Sequence, residues 1–248
     1  MTRPRPSPRA SPANQALGLP ARIAVFLGTV LAIIALAVLP LLTPLFIHFA
    51  LDTAGAAERL GVSAAQAHAL SDRSVEELVL GPGTFDITGP DGEPLYDEFE
   101  RSHLADARTL LGIVLLAGAV GIVVIGALLA RSRSRRPAVW RTLAHAGVTP
   151  AIVVIILGVV SVVAFDQLFT LFHQVFFPGG NWSFDPGSQR LVQLYPFGFW
   201  QLAAAALGVA VLLLALGAWL LGRWGERSSQ PDATLGASAG STHPAMED

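Results

Sequence analysis

The chain of 248 residues contains no cysteine and no lysine, and only 14% of it is charged. Without cysteine there is no disulfide, no thiolate nucleophile and no cysteine-ligated metal. Nor can the chain itself be a lipoprotein, since the lipid is carried on a cysteine. A helix-borne His-Glu-x-x-His metal pair is also missing. Gly236-Ala237-Ser238-Ala239-Gly240 has the spacing of a hydrolase nucleophile turn. It lacks the strand before and the helix after that give such a turn its strain, so it is read as chance.

What is abundant is apolar surface, at 52% of residues. Residues 23–51, 109–130, 142–165 and 191–222 carry no Asp, Glu, Lys or Arg. Each run is longer than the roughly 20 residues a helix needs to cross a hydrocarbon layer. The expected fold class is an all-α integral membrane protein with four transmembrane helices and a small α+β cap between the first two. Ala54-Gly55-Ala56 resembles a signal-peptide cleavage site. However, the uncharged run before it is about twice the usual length of a signal-peptide core and contains Pro40 and Pro44, so it is read as a retained span.

All 16 basic residues are Arg, and their positions set the orientation. Arg3, Arg5, Arg9 and Arg22 precede the first span, Arg131, Arg133, Arg135, Arg136 and Arg141 join the second to the third, and Arg223 and Arg227 follow the fourth. Basic flanks stay cytoplasmic, which places both termini there and reads the Arg cluster as a topological signal rather than a nucleic-acid surface. The expected segments are a disordered tail over 1–20, spans at 21–51, 108–130, 148–177 and 198–222, and a second disordered tail over 223–248. Between the spans lie the cap (52–107), an Arg-rich cytoplasmic loop (131–147) and an outer loop (178–197).

Within the cap, Ser63-Ala64-Ala65-Gln66 and Ser74-Val75-Glu76-Glu77 have capping-box spacing and predict two short helices. Phe85 and Ile87, the turn at Gly89-Pro90-Asp91-Gly92, and Leu95 with Tyr96 predict a hairpin. Too few apolar residues are present for the cap to fold alone. Thr149-Pro150 predicts the start of the third helix. Ala117 with Gly121, and Ala204 with Gly208, have the four-residue spacing that lets membrane helices approach closely.

The chemistry concentrates at the outer boundary. His173 lies among Phe165, Phe169, Phe172 and Phe176 near the end of the third span, with Asp166 and Thr170 on its helix face. Reading the second span outward brings His103 to a similar depth, with Asp106 three residues on. An ionisable residue there loses hydration and is a functional candidate, and imidazole suits proton transfer near neutral pH. Asp106 and Asp166 are the expected partners of the two rings. The plainer reading leaves His103 as an interfacial residue, His173 hydrogen-bonded to a backbone carbonyl, and Phe176, Phe177, Trp182, Phe184, Tyr195, Phe197, Phe199 and Trp200 as an aromatic belt. His48, His68 and His145 are read as structural or incidental, and no metal site is expected.

His103-Leu104-Ala105-Asp106, Phe172-His173-x-x-Phe176-Phe177, Gly180-Asn181-Trp182-x-Phe184-Asp185 and Leu194-Tyr195-Pro196, in that order over residues 20 to 225, resemble the bacterial lipoprotein intramolecular transacylase family. The resemblance implies an acyltransferase in the bacterial cytoplasmic membrane with its site on the extracytoplasmic side. It would move the sn-2 acyl chain of a diacylated lipoprotein to the α-amino group of that lipoprotein's N-terminal cysteine, without a cofactor. The implied catalytic residues are His103 and His173; Asp106 and Asp166 are read as their support, and Asn181, Trp182 and Tyr195 as candidates for orienting substrate. The implied partners are the diacylated lipoprotein and membrane lipid. Two other readings use the same residues: a non-catalytic scaffold or envelope sensor whose cap binds a partner, and a lipid-ester hydrolase that admits water.

Overall fold

A computed structural model describes residues 16–131 and 133–229. Most of both terminal tails, including the Gly236–Gly240 motif, lies outside the described residues. The helices are α1 (Leu19–Val38), α2 (Pro44–Ala54), α3 (Ala56–Leu60), α4 (Ala64–Val79), α5 (Glu98–Arg131), α6 (Arg136–Phe176), α7 (Arg190–Leu194) and α8 (Phe197–Ser228). Segments Leu19–Leu42, Glu98–Arg131, Arg133–Phe176 and Phe197–Ser228 are long and apolar enough to cross a membrane.

The apolar run at 23–51 is not one helix. After α1 a single 3-10 turn covers Leu39–Leu42, and Thr43 adopts an extended conformation before Pro44 opens α2. Pro40 and Pro44 have no N–H to continue an α-helical ladder, so the chain bends out of the span and α2 joins the cap. The third span departs from expectation in the other direction. Rather than starting at Thr149, α6 starts at Arg136 and runs past Pro150, which is buried inside it, and so absorbs most of the expected cytoplasmic loop. Packing overrides the Thr-Pro signal, because the segment before Pro150 is pressed against the far end of α8. A Cβ on Gly147 would lie 2.9 Å from the Ala215 carbonyl oxygen. The backbone of α6 instead leaves helical geometry at Ala164 (φ −140°, ψ 37°), just before the aromatic stripe. Helix α8 likewise continues to Ser228, past the expected end of the fourth span.

Helix α5 packs mainly on α1, and α6 on α8, with α1 also touching α6 and α8. Lipid tails are as apolar as Leu, so membrane helices associate through close contact rather than through exclusion of water. A Cβ added to Gly121 on α5 would sit 2.6 Å from the Gly28 carbonyl oxygen on α1. On the other pair, a Cβ on Gly222 would lie 2.7 Å from the Ala144 nitrogen. Gly121 was legible from its spacing, whereas Gly208 makes only ordinary contact with Val154, at 3.5 Å. The close α6–α8 approach lies instead toward the opposite end, at Ala144 and Gly147.

The cap is built differently from the expectation. Ser63 does form a capping box with Gln66, and α4 begins there. Ser74 starts no second helix. It is buried inside α4, where its hydroxyl donates to the Leu70 carbonyl and contacts Tyr96 Oη at 2.7 Å. No strand occurs among the described residues. The expected hairpin reduces to one antiparallel bridge between Thr88 and Pro94, so the cap is helical with an irregular loop and not α+β. Pro90 and Pro94 cannot donate to a ladder, and Phe85 has a positive φ of 52°, which stops strand pairing from extending. Ile47, Leu51, Leu70, Phe85, Ile87, Leu95 and Tyr96 from the cap bury themselves against Leu104 of α5 and Phe199 of α8. The cap therefore borrows its core from the helix ends beneath it.

His48 and His68 are not incidental. Their rings stack with centroids 4.0 Å apart and an interplanar angle of 1°. His48 Nε2 lies 2.8 Å from Asp72, and His68 Nε2 lies 2.8 Å from Asp52, so α2 and α4 are cross-paired through a His-x-x-x-Asp segment on each.

Replacing Gly121 with Ala should lower stability by about 1–3 kcal/mol, the usual cost of overpacking a tight contact. Gly126→Ala on the same helix has nothing within 4 Å of the new methyl and should be neutral. Thermal midpoints of the two purified variants in detergent check this.

Candidate active site

The first turns of α5 carry Ser102, His103 and Asp106, and the last turn of α6 carries His173. The helices run in opposite directions, so the start of one and the end of the other fall at the same level. There the two imidazoles face each other, with centroids 5.8 Å apart and planes 26° apart. Phe177, the first residue beyond α6, touches both rings, at 4.6 Å from His103 and 5.4 Å from His173. Around this centre Phe184 meets His103 edge-on at 5.3 Å, and Phe169 and Trp182 lie 4.2 and 5.3 Å from His173.

His173 is 8% exposed. Its Nδ1 lies 2.8 Å from the Phe169 carbonyl oxygen. A carbonyl can only accept, so Nδ1 carries the hydrogen and the neutral ring presents Nε2 as its free lone pair. This carbonyl replaces the carboxylate expected from Asp166. Seven residues along a helix is a separation of roughly 10 Å, too far for Asp166 to bond the ring. Asp106 does not bond His103 either. Its Oδ2 accepts from Asn181 Nδ2 at 2.8 Å, and the same Nδ2 donates to Ser102 Oγ at 3.0 Å. Asp106 therefore fixes the loop after α6 onto α5, while its charge stays close to His103. His103 Nδ1 and Asn181 Oδ1 are both buried without a hydrogen-bond partner among the described residues.

The loop that carries Asn181 is itself secured. Asp185 accepts from the Gly187 N–H and the Ser188 hydroxyl, and these bonds hold its carboxyl below the usual carboxylate range. Gln189 bridges to Asp97 at 2.9 Å. Glu100, 2% exposed, accepts from the Leu191 and Asp97 N–H groups at 2.7 and 2.8 Å, which ties α7 to α5.

Trp182 does lie against His173. Tyr195 has a different setting, because its hydroxyl contacts Ser71 Oγ at 2.9 Å and its ring packs on Phe199 and Trp200. Burial pushes its phenol up to about 12, so it stays protonated and joins the cap to the start of α8. Phe177, Tyr195 and Phe199 are buried and belong to the interior rather than to an aromatic belt, whereas Phe176, Phe197 and Trp200 remain exposed. Sequence reasoning did not single out Ser102, and it gave Phe177 no role between the rings. Ser102 has no signal beyond its adjacency to His103. Among the described residues no group of three or more His, Asp and Glu side chains is arranged to hold a metal ion. The chemistry available is proton transfer by two imidazoles surrounded by aromatic rings, beside a fixed amide.

The family profile for lipoprotein intramolecular transacylase Lit matches residues 23–200, which include the whole site. The fold is similar to the in meso structure of membrane-integral lipoprotein intramolecular transacylase Lit from Bacillus cereus, at 19% identity and a TM-score of 0.68, covering 84% of this chain and 95% of that one. It is also similar to a form of that protein in which a histidine is replaced by alanine, at 19% identity and a TM-score of 0.62, covering 84% and 93%. No match was found among curated proteins.

Phe177→Ala should perturb both imidazoles together, seen as joint shifts of the His103 and His173 ring resonances in NMR spectra of the labelled protein. Tyr195→Phe should leave both in place and cost about 1–3 kcal/mol, because the buried Ser71 hydroxyl loses its partner.

Proposed function

The chain belongs to the lipoprotein intramolecular transacylase family and is a membrane enzyme; from that premise we propose that it moves the sn-2 acyl chain of a diacylated lipoprotein to the α-amino group of that lipoprotein's N-terminal cysteine. The observation that carries this reading is the pair of facing imidazoles, with centroids 5.8 Å apart, among aromatic rings at the adjoining ends of two candidate spans. Amine and ester belong to the same substrate, so catalysis needs orientation and proton transfer more than a covalent nucleophile.

In the proposed step His103 accepts a proton from the amine on Nδ1, its buried and uncommitted nitrogen. The amine nitrogen attacks the acyl carbonyl carbon, a C–N bond forms, and the bond from that carbon to the sn-2 oxygen breaks. His173, with Nδ1 held by Phe169, takes through Nε2 the second proton that the nitrogen sheds as the C–N bond forms; the N–H so made steadies the oxyanion and passes its proton to the departing glyceryl oxygen. The substrate ammonium brings three protons. One remains on the amide, one ends on the new glyceryl hydroxyl and one is released to solvent, leaving both imidazoles as they began. Aromatic side chains around the rings limit water, which favours transfer over hydrolysis.

The proposed topology puts the site outside and both termini in the cytoplasm of the bacterial plasma membrane. Twelve acidic residues against three Arg between positions 52 and 107, opposite the Arg-rich α5–α6 turn, support that orientation.

His103→Ala and His173→Ala should each lower formation of N-acyl, lyso-glyceryl lipopeptide by at least about 100-fold in a reconstituted assay, the usual worth of a positioned proton-transfer group. Full activity in both variants would falsify the assignment, and release of free fatty acid in mass spectra of the wild-type reaction would indicate a hydrolase. The cysteine-free chain also allows a direct topology test. Glu93→Cys should react with an impermeant maleimide on intact cells, and Ser228→Cys only after permeabilisation.

A further inference from the structure

Asn181 sits where the loop beyond α6 folds back on the first turns of α5, and it is 8% exposed. Its Nδ2 donates to Ser102 Oγ and Asp106 Oδ2 at 3.0 and 2.8 Å. Turning the amide over would set its carbonyl oxygen against the Asp106 carboxylate, two acceptors with no hydrogen between them, so its orientation is determined. The remaining atom, Oδ1, is a buried acceptor with no partner, on a side chain that grips both flanks of His103. His103 Nδ1 is the other buried side-chain nitrogen or oxygen left in that condition among the described residues. Folded proteins leave few such atoms unpaired, and two in one site call for a ligand that supplies hydrogens.

Building on the acyl-transfer reading, the reacting groups can be sorted by what they offer. The ester carbonyl and the glyceryl oxygen only accept hydrogen bonds. An amide oxygen also only accepts, so it cannot hold either of them. The α-amino group is the reacting group that donates. We propose that Asn181 Oδ1 receives an N–H of the substrate's α-amino group, so that Asn181 contacts the substrate and makes the site selective for a free amine. A second N–H then points to His103 Nδ1, which removes it, and the nitrogen lone pair turns to the acyl carbon. The Asp106 carboxylate, held by the other edge of the same amide, favours the positive charge with which the amine arrives.

The test uses full-length protein in lipid nanodiscs and diacylglyceryl-cysteinyl lipopeptides whose sn-2 ester is replaced by an ether, so that binding is read without turnover. One probe keeps the primary α-amine, a second replaces it with hydrogen, and a third carries an N,N,N-trimethylammonium, which keeps the charge but has no N–H; all retain the peptide N–H. Wild type should bind the primary amine at least about tenfold more tightly than either other probe, the scale of one hydrogen bond to a charged group. Asn181→Ala should lower the ratio of amine-form to hydrogen-form affinity at least about fivefold from the wild-type ratio, whatever the affinity for either form alone, whereas a purely structural role would weaken both forms alike and leave the ratio in place. The proposal is overturned if Asn181→Ala keeps the tenfold preference, or if wild type shows none, as it would were Oδ1 to hold only water or the peptide N–H. Should the variant fail to fold, the trimethylammonium probe decides on wild type alone, and equal binding of primary amine and trimethylammonium overturns the proposal. Conversion of the sn-2 ester lipopeptide by wild type is measured in parallel. Failure there counts against the acyl-transfer reading, and loss of amine preference counts against this assignment.

Discussion

The structure depends on keeping two imidazoles next to each other in a place where water is scarce. An aromatic wall desolvates both rings, and Phe177 lies against each of them. Desolvation works against a charged imidazole, so such a pair persists only where surrounding packing holds it. His173 is held by the Phe169 carbonyl, which also decides which of its nitrogens is free. His103 has no such tether and is placed by its backbone on α5 and by the side chains above it.

The packing that holds the pair comes from two helix pairs brought together at one end. Helices α5 and α6 lean mainly on different partners, α1 and α8, so the spacing between His103 and His173 is not set by a continuous contact between their own helices. It is set at the cap end, where Asn181 bonds Ser102 and Asp106 and where Glu100 receives the N–H of Leu191. Below, the close approaches of Gly121 to Gly28 and of Gly222 to Ala144 fix how the pairs lie. The cap completes the arrangement because its core closes on Leu104 and Phe199 beneath it. Its two crossed His–Asp pairs are partly exposed to solvent and contribute little energy next to that shared core.

Much of the site was legible as composition and order. Four uncharged runs announced four membrane helices, and two histidines at matching depth were visible by counting outward along two of them. The partners of those histidines were not. Asp106 has the right spacing to hold His103, yet it bonds Asn181, 75 residues away in sequence. Asp166 shares a face with His173, but a carbonyl one turn away is nearer than a carboxylate two turns away. Ser74 has perfectly good capping spacing and still lies mid-helix, because the cap core buries it against Tyr96. Thr149-Pro150 is a helix start by local preference, overruled by contacts along α8.

By itself the sequence determined what the bilayer imposes: segment length, apolarity, the siting of Arg, and the absence of thiol chemistry, all of which follow from transfer of side chains between water and lipid. Local spacing also supplied the Ser63 cap and the Gly121 contact. Only the tertiary structure decided which acceptor meets which donor. Hydrogen bonds select by distances of about 3 Å between residues far apart in the chain. That precision arises when helices and cap pack together, and here it sets Asn181 across Ser102 and Asp106, leaving one amide oxygen and one imidazole nitrogen without a partner among the described residues.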